Sequence, residues 1–330
     1  MHPMTETPMT PQSEAPQAAA LQPETVQPAP AQPAALQPEP PQAAPSPAPE
    51  PSQATPAPSP APASTGGFRT TSFTLKLAAI ICMTCNHAVW TIGALFPTWL
   101  YYLLYCVGGA TYPIMAFMLV EGFRHTSNLK RYALRLLLWA VIAEVPFFLF
   151  LADPANFFVG NVLFTLFLGL ALLWTRENSK GPTFWFMLVL VLFISNFCDW
   201  GLVGPLIVLS YYLLSAGPAP EGRKGALLTL LIPVAYCTLN ALMGWGQYVS
   251  YGYPMLVSFL AVLPEIGYGV VGGAIAAVLL WHYDGTLGRP LLRGSSANKF
   301  NANTLVKWAF YAYYPLHIAV LGLLAKALGI

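Results

Sequence analysis

From Phe73 to the C-terminus the chain is a series of apolar runs, most of them near twenty residues, separated by short polar connections. No other feature constrains the fold as strongly, because a helix of about 20 residues spans the roughly 30 Å hydrocarbon core of a bilayer. The runs predict spans at 73–96, 98–120, 129–151, 157–174, 183–198, 200–216, 226–244, 265–282 and 305–329. Charged residues make up 8% of the chain and hydrophobic residues 56%, whereas a soluble surface draws on about 25% charged residues. The expected fold class is all-α, a polytopic transmembrane helical bundle of 9–10 spans over residues 67–330, with lipid as its solvent. The segment 252–264, bounded by Pro254 and Pro264, is about a dozen residues long and reads as a re-entrant half-helix. No internal repeat is evident, which argues against an inverted-repeat transporter.

Residues 1–66 are of another kind. They hold 19 of the 32 prolines, interleaved with Ala, Gln and Ser, and five Glu without one Lys or Arg. Such a stretch has little to bury and is expected to be a disordered, solvated tail. It is not expected to act as a signal peptide, because no basic residue precedes Arg69 and the first apolar run starts near Phe73. All 15 Lys and Arg lie from Arg69 onward, scattered between apolar runs, which excludes a nucleic-acid-binding surface. The connections holding Arg124, Lys130 and Arg131, then Arg176 and Lys180, then Arg223 and Lys224, alternate with connections holding Asp153, Asp199 or no charge. Basic connections face the cytoplasm, so the tail is expected inside, at the plasma membrane. Nine crossings follow if 252–282 crosses once.

Chemistry must come from polar groups within the membrane, where each is costly and usually functional. In the first span Lys76 and His87 lie eleven residues apart, about three turns and 16 Å along one face. A cation at the cytoplasmic entrance thus sits above a deeper imidazole able to act as a base; a bundle histidine and a positive-inside anchor are the plainer alternative. A second cluster, Glu121, Arg124, His125, Lys130, Arg131 and Arg135, places cations near one mouth, where they suit the phosphates of an anionic cofactor. Arg135 lies about a turn inside its span. Glu144, Asn161 and Asp199 polarise neighbouring spans. In the last span His317 falls near mid-membrane, a turn from Tyr313 and Tyr314 and next to Pro315, where it can line a pocket for an acyl chain or acceptor. The five cysteines sit in or beside spans and read as packing, Cys82-x-x-Cys85 included. No His, Cys and carboxylate spacing reads as a metal site.

These segments, taken in order, resemble a known family. Leu75–Thr84 ahead of Asn86-His87, Tyr112–Phe117 with Glu121–Thr126, and Arg131–Leu136 are similar to the TraX family of membrane proteins. So are Asn161–Leu166, Asp199-Trp200-Gly201, and Lys307-Trp308 through Tyr314-Pro315-Leu316-His317. The resemblance covers 73–329 and omits the tail. It implies N-terminal acetylation of a pilin subunit from acetyl-CoA at the bacterial inner membrane. The Lys-x10-His spacing also resembles a signature of acyltransferase-3 membrane enzymes, roughly ten-span proteins, which brings ten crossings into view. By resemblance His87 is the catalytic base, with Asn86 or Tyr314 orienting it or stabilising an oxyanion and His317 a further catalytic candidate. Lys76, Arg124 and Arg135 are then the acetyl-CoA-binding residues. Relatives usually carry Asp before the histidine; Asn86 can orient an imidazole but cannot stabilise an imidazolium by charge. The expected function is an integral membrane acetyltransferase acting on pilin or another cell-envelope component. A proton-coupled transporter or flippase, and a non-catalytic membrane assembly protein, are the other readings.

Overall fold

The computed structural model describes residues 68–152, 160–217, 220–286, 288 and 299–330, with the backbone alone over 299–306. The tail at 1–66, the connection holding Asp153 and the stretch holding Arg289 and Arg293 lie outside the described residues.

Local chemistry starts and stops the helices. Thr71 caps α1 (Ser72–Ile92) through a reciprocal pair of hydrogen bonds with Thr74. Pro97 precedes α2 (Thr98–Gly108), which is followed by α3 (Thr111–His125). Asn128 caps α4 (Leu129–Phe150) and Asn161 caps α5 (Val162–Asn178), each accepting a backbone N–H of the first turn. Gly181, at φ +63°, turns the chain into α6 (Pro182–Ser195), whose Pro182 sits where a missing N–H costs nothing. The remaining helices are α7 (Val203–Leu214), α8 (Glu221–Thr229), α9 (Leu231–Ser250), α10 (Met255–Trp281) and α11 (Lys299–Ala327). Because α2–α3 and α8–α9 each run on as one stretch, these eleven helices make nine passes among the described residues. Six passes are long and apolar enough to cross a bilayer: α1, α2–α3, α4, α8–α9, α10 and α11. The chain is a multi-pass helical membrane protein.

The faces of α4 show what surrounds it. Leu136, Ala140, Ala143 and Phe147 are buried, while Leu134, Leu138, Val141, Val145 and Leu149 are exposed on the other side. Both stripes repeat every three or four residues, and both are apolar. A helix in water would keep the second stripe polar; here it meets lipid.

The half-helix expected at 252–264 does not form. Gly252, at φ +86°, and Pro254 turn the chain, and α10 then runs unbroken through Pro264 to Trp281. Pro264 removes one N–H and so frees one carbonyl. In lipid, unwinding the rest would strand many more backbone groups, so the helix persists. A local interruption falls instead within the α2–α3 stretch, at Gly109–Ala110. Gly109 presses against the Tyr268 carbonyl of α10, and Gly272 of α10 presses against the Gly109–Ala110 backbone. A Cβ at either glycine would overlap backbone, so small residues let the two helices meet.

The two ends of the bundle differ in charge. At one, Thr70 bridges Tyr283, Arg124 reaches the end of α7, and the Tyr212 hydroxyl donates to Glu177. Lys76, Arg124 and Arg135 lie toward this basic end. At the other, the Gly160 N–H donates to the Phe197 carbonyl and the Asp199 N–H donates to the Gly160 carbonyl, each at 2.7 Å. This ties the α4–α5 connection to the α6–α7 connection. At 14 and 12 residues, α6 and α7 rise only about 20 Å, so their connection is recessed at that acidic end.

Candidate active site at a buried histidine pair

Helices α1 and α11 pack together and bring His87 and His317 into contact. Nδ1 of His87 lies 2.6 Å from Nε2 of His317, and the rings stack at 4.8 Å between centroids with 15° between planes. The residues are 8% and 7% exposed. The surrounding bonds assign the protons. Nδ1 of His317 is 2.8 Å from the Tyr313 carbonyl, which can only accept, so that nitrogen carries hydrogen. In the neutral ring Nε2 of His317 is then an acceptor, and His87 must donate to it from Nδ1. That leaves the lone pair of His87 on Nε2.

Aromatic rings hold the pair in place. Tyr313 stacks on His317 at 4.9 Å and 9°. The Thr84 hydroxyl donates to the Ile80 carbonyl at 2.8 Å, so the Tyr313 hydroxyl donates to Thr84 Oγ1 at 2.6 Å. Tyr314 lies edge-on to His87 at 5.9 Å and tilted to His317 at 5.8 Å, its hydroxyl buried beside Val162 at the start of α5. A proton taken up at Nε2 of His87 can shift its charge through Nδ1 to His317, where the Tyr313 carbonyl stabilises the remaining N–H.

Asn86 is turned elsewhere. A Cβ on Gly108 would lie 2.6 Å from that of Asn86, and the Asn86 Oδ1 is buried without a hydrogen-bond partner among the described residues. The hydrogen bond that orients His87 comes from His317, not from Asn86.

The cations sort into two groups. Arg124 pairs with Glu121 at 3.3 Å and donates to the Tyr212 carbonyl at 2.9 Å and to Ser215. The residue expected to bind cofactor therefore caps the C-terminal carbonyls of α7. Tyr283 donates to the same Glu121, and burial together with that carboxylate holds its phenol above the ordinary range. Lys76 and Arg135 form a second group with Lys307 of α11, whose charge reaches both. Among the described residues none of these three has a carboxylate partner, and the Arg135 Nε is buried without a hydrogen bond. Lys307 and Tyr313 carry no role on the sequence alone. The signals were there, Tyr313 one turn before His317 and Lys307 the first cation of the last span.

The model of the family described as TraX protein matches residues 72–325. The chain belongs to the TraX family. It is 32% identical over 267 residues to the probable fimbrial assembly protein FimC, serogroup H1, of Dichelobacter nodosus, covering 76% of this chain and 94% of that protein. No solved structure matches. The matched region begins with α1 and ends within α11, so this TraX chain carries both histidines inside its family domain.

Proposed function

We propose that this TraX chain is a membrane acetyltransferase that uses acetyl-CoA at its basic end and His87 as general base. The observation that carries the reading is the His87–His317 pair, with its free Nε2, about 16 Å along α1 from Lys76, which groups with Arg135 and Lys307 without a carboxylate among the described residues. Three cations without carboxylates, one with an unbonded buried Nε, suit the phosphates of a coenzyme A thioester. That co-substrate supplies an acyl carbon ready for attack. In the transfer the acceptor's nitrogen or oxygen bonds to this carbon and the carbon–sulfur bond breaks. His87 Nε2 takes the acceptor's proton and returns it to the departing thiolate. His317 spreads the intervening positive charge, the task an aspartate before His87 would otherwise perform, and Tyr314 packs both rings.

The fimbrial assembly name of the relative favours a pilin subunit as acceptor, with another envelope component as the alternative. The clustering of Arg and Lys at one end supports a cytoplasmic placement of that end, with the tail, in the bacterial inner membrane. The test is transfer of labelled acetyl from acetyl-CoA by the purified full chain to a pilin subunit of its own genome. Transfer that His87→Ala abolishes in a folded protein sustains the reading. Equal transfer by the variant refutes the histidine's role, and no transfer with wild type refutes the enzyme.

A further inference from the structure

The recess at the acidic end holds a second constellation that the histidine chemistry does not use. The α6–α7 connection carries Asp199 and Trp200, and Trp200 is held at φ +66°, a left-handed conformation rare for a bulky residue. Three bonds fix the loop there. The Asp199 N–H donates to Gly160, the Thr165 hydroxyl donates to the Asp199 carbonyl, and Asp199 Oδ1 accepts the Trp200 N–H at 2.9 Å. Backbone held in a costly region by its surroundings is a mark of function.

Around the adjoining Trp200 ring stand aromatic rings from three other helices. Tyr112 of α3 stacks on Trp200 at 4.5 Å and 18°, while Tyr268 of α10 and Tyr236 of α9 lie 6.3 and 6.5 Å from it. Tyr112, Tyr268 and Tyr314 all lie within electrostatic reach of the Asp199 carboxyl. Tyr112 is 1% exposed and its hydroxyl has no hydrogen-bond partner among the described residues, an uncommon state for a buried polar group. No cation pairs with Asp199 or Glu144 among the described residues. A carboxylate without a counter-ion, flanked by π faces and an unbonded phenol, is the chemistry that receives an organic cation.

We infer that the Asp199 recess is a binding site for an organic ammonium group, its charge on the Asp199 carboxylate and its alkyl stem against Trp200 and Tyr268. The site stands whether or not the histidine pair transfers acyl groups. Anions and neutral hydroxyl compounds lack the charge it demands.

The test is calorimetric titration of the full chain in phosphatidylcholine nanodiscs with butylammonium and, separately, with butanol. Saturable butylammonium binding is expected, with none for butanol. Asp199→Asn keeps an oxygen for the Trp200 N–H and should weaken binding at least tenfold without lowering the unfolding temperature. Tyr268→Phe should bind as wild type, and Tyr268→Leu several-fold more weakly. Adding phosphatidylethanolamine to the nanodiscs identifies the source. Competition with butylammonium assigns the site to a lipid headgroup, and unchanged binding assigns it to an amine outside the lipid. Equal affinity in Asp199→Asn, equal binding of butanol, or no saturable wild-type binding at tens of millimolar overturns the inference. None of these outcomes depends on acetyl transfer.

Discussion

Nδ1 of His87 and Nε2 of His317 stand 2.6 Å apart although 230 residues separate them in the chain. Each was a separate candidate in the sequence; in the fold they are one unit. The Tyr313 carbonyl sets the tautomer of His317, His317 sets that of His87, and the free lone pair at the end of the series follows from that order.

A unit of this kind gives non-additive mutants. His87→Ala should lower acetyl transfer by about 100- to 10,000-fold, the usual range for loss of a general base. His317→Ala should cost less, because His87 keeps its lone pair but loses its orienting partner. The double variant should be little worse than His87→Ala alone. Single-turnover rates of the three purified proteins check this, and additive losses would dissolve the pair as a functional unit.

Under the proposed function the two groups of cations should separate binding from folding. Lys76→Ala, Arg135→Ala and Lys307→Ala should each raise KM for acetyl-CoA by about tenfold, the scale of one charge-assisted hydrogen bond, with smaller effects on kcat. Arg124→Ala should instead lower thermal stability, since Glu121 and the end of α7 lose their partner together. A raised KM with unchanged stability in Arg124→Ala would return that residue to the binding site.

Close backbone contact between α2–α3 and α10 depends on glycine. Gly272→Ala puts a methyl group against the Gly109–Ala110 backbone and should destabilise by about 1–3 kcal/mol. Gly246→Ala, with open space around the added carbon, should be neutral or mildly stabilising. Thermal unfolding in one detergent compares the two.

Binding in the acidic recess should depend on pH. Burial pushes the Asp199 carboxyl up to about 6 against the pull of the Trp200 N–H. The titratable groups near it are the neutral phenols of Tyr112, Tyr268 and Tyr314 and the Cys198 thiol, with Glu144 of α4 beyond Cys198 and Tyr314. An ammonium group needs the carboxylate, so affinity for butylammonium approaches its full value about one pH unit above 6 and falls as pH drops through about 6. A flat profile between pH 5 and 8 would show that Asp199 is not the charged partner.

Sidedness can be read with single cysteines in a variant lacking all five native ones. Cysteine at Asn178, at the basic end, should stay shielded from an impermeant thiol reagent in intact cells, whereas cysteine at Asn196, at the opposite end, should react. The reverse pattern would invert the orientation.

Hydropathy was enough for the class of fold, because in lipid the backbone must satisfy itself as a helix or a closed barrel, and apolar runs near twenty residues fit the helix. Hydropathy does not show the caps: the span expected at 157–174 runs through Asn161, which caps α5 at Val162, and Asn128 caps α4. Proline misled at 252–264, since one missing N–H was counted as a helix end when the lipid offered the backbone no alternative. Hydropathy is equally silent on which cations find carboxylates. Arg124 and Arg135 look alike in sequence, yet Glu121 one turn away on α3 and the carbonyls of α7 claim the first, while the second meets the rings of Tyr132 and Tyr311 and, among the described residues, no carboxylate. The contact between α1 and α11, and with it the histidine pair, was decided by tertiary structure alone. Residue types and their spacing along one helix carry periodicity, but which two apolar faces meet depends on the shapes of both, and that information exists only once the bundle has packed.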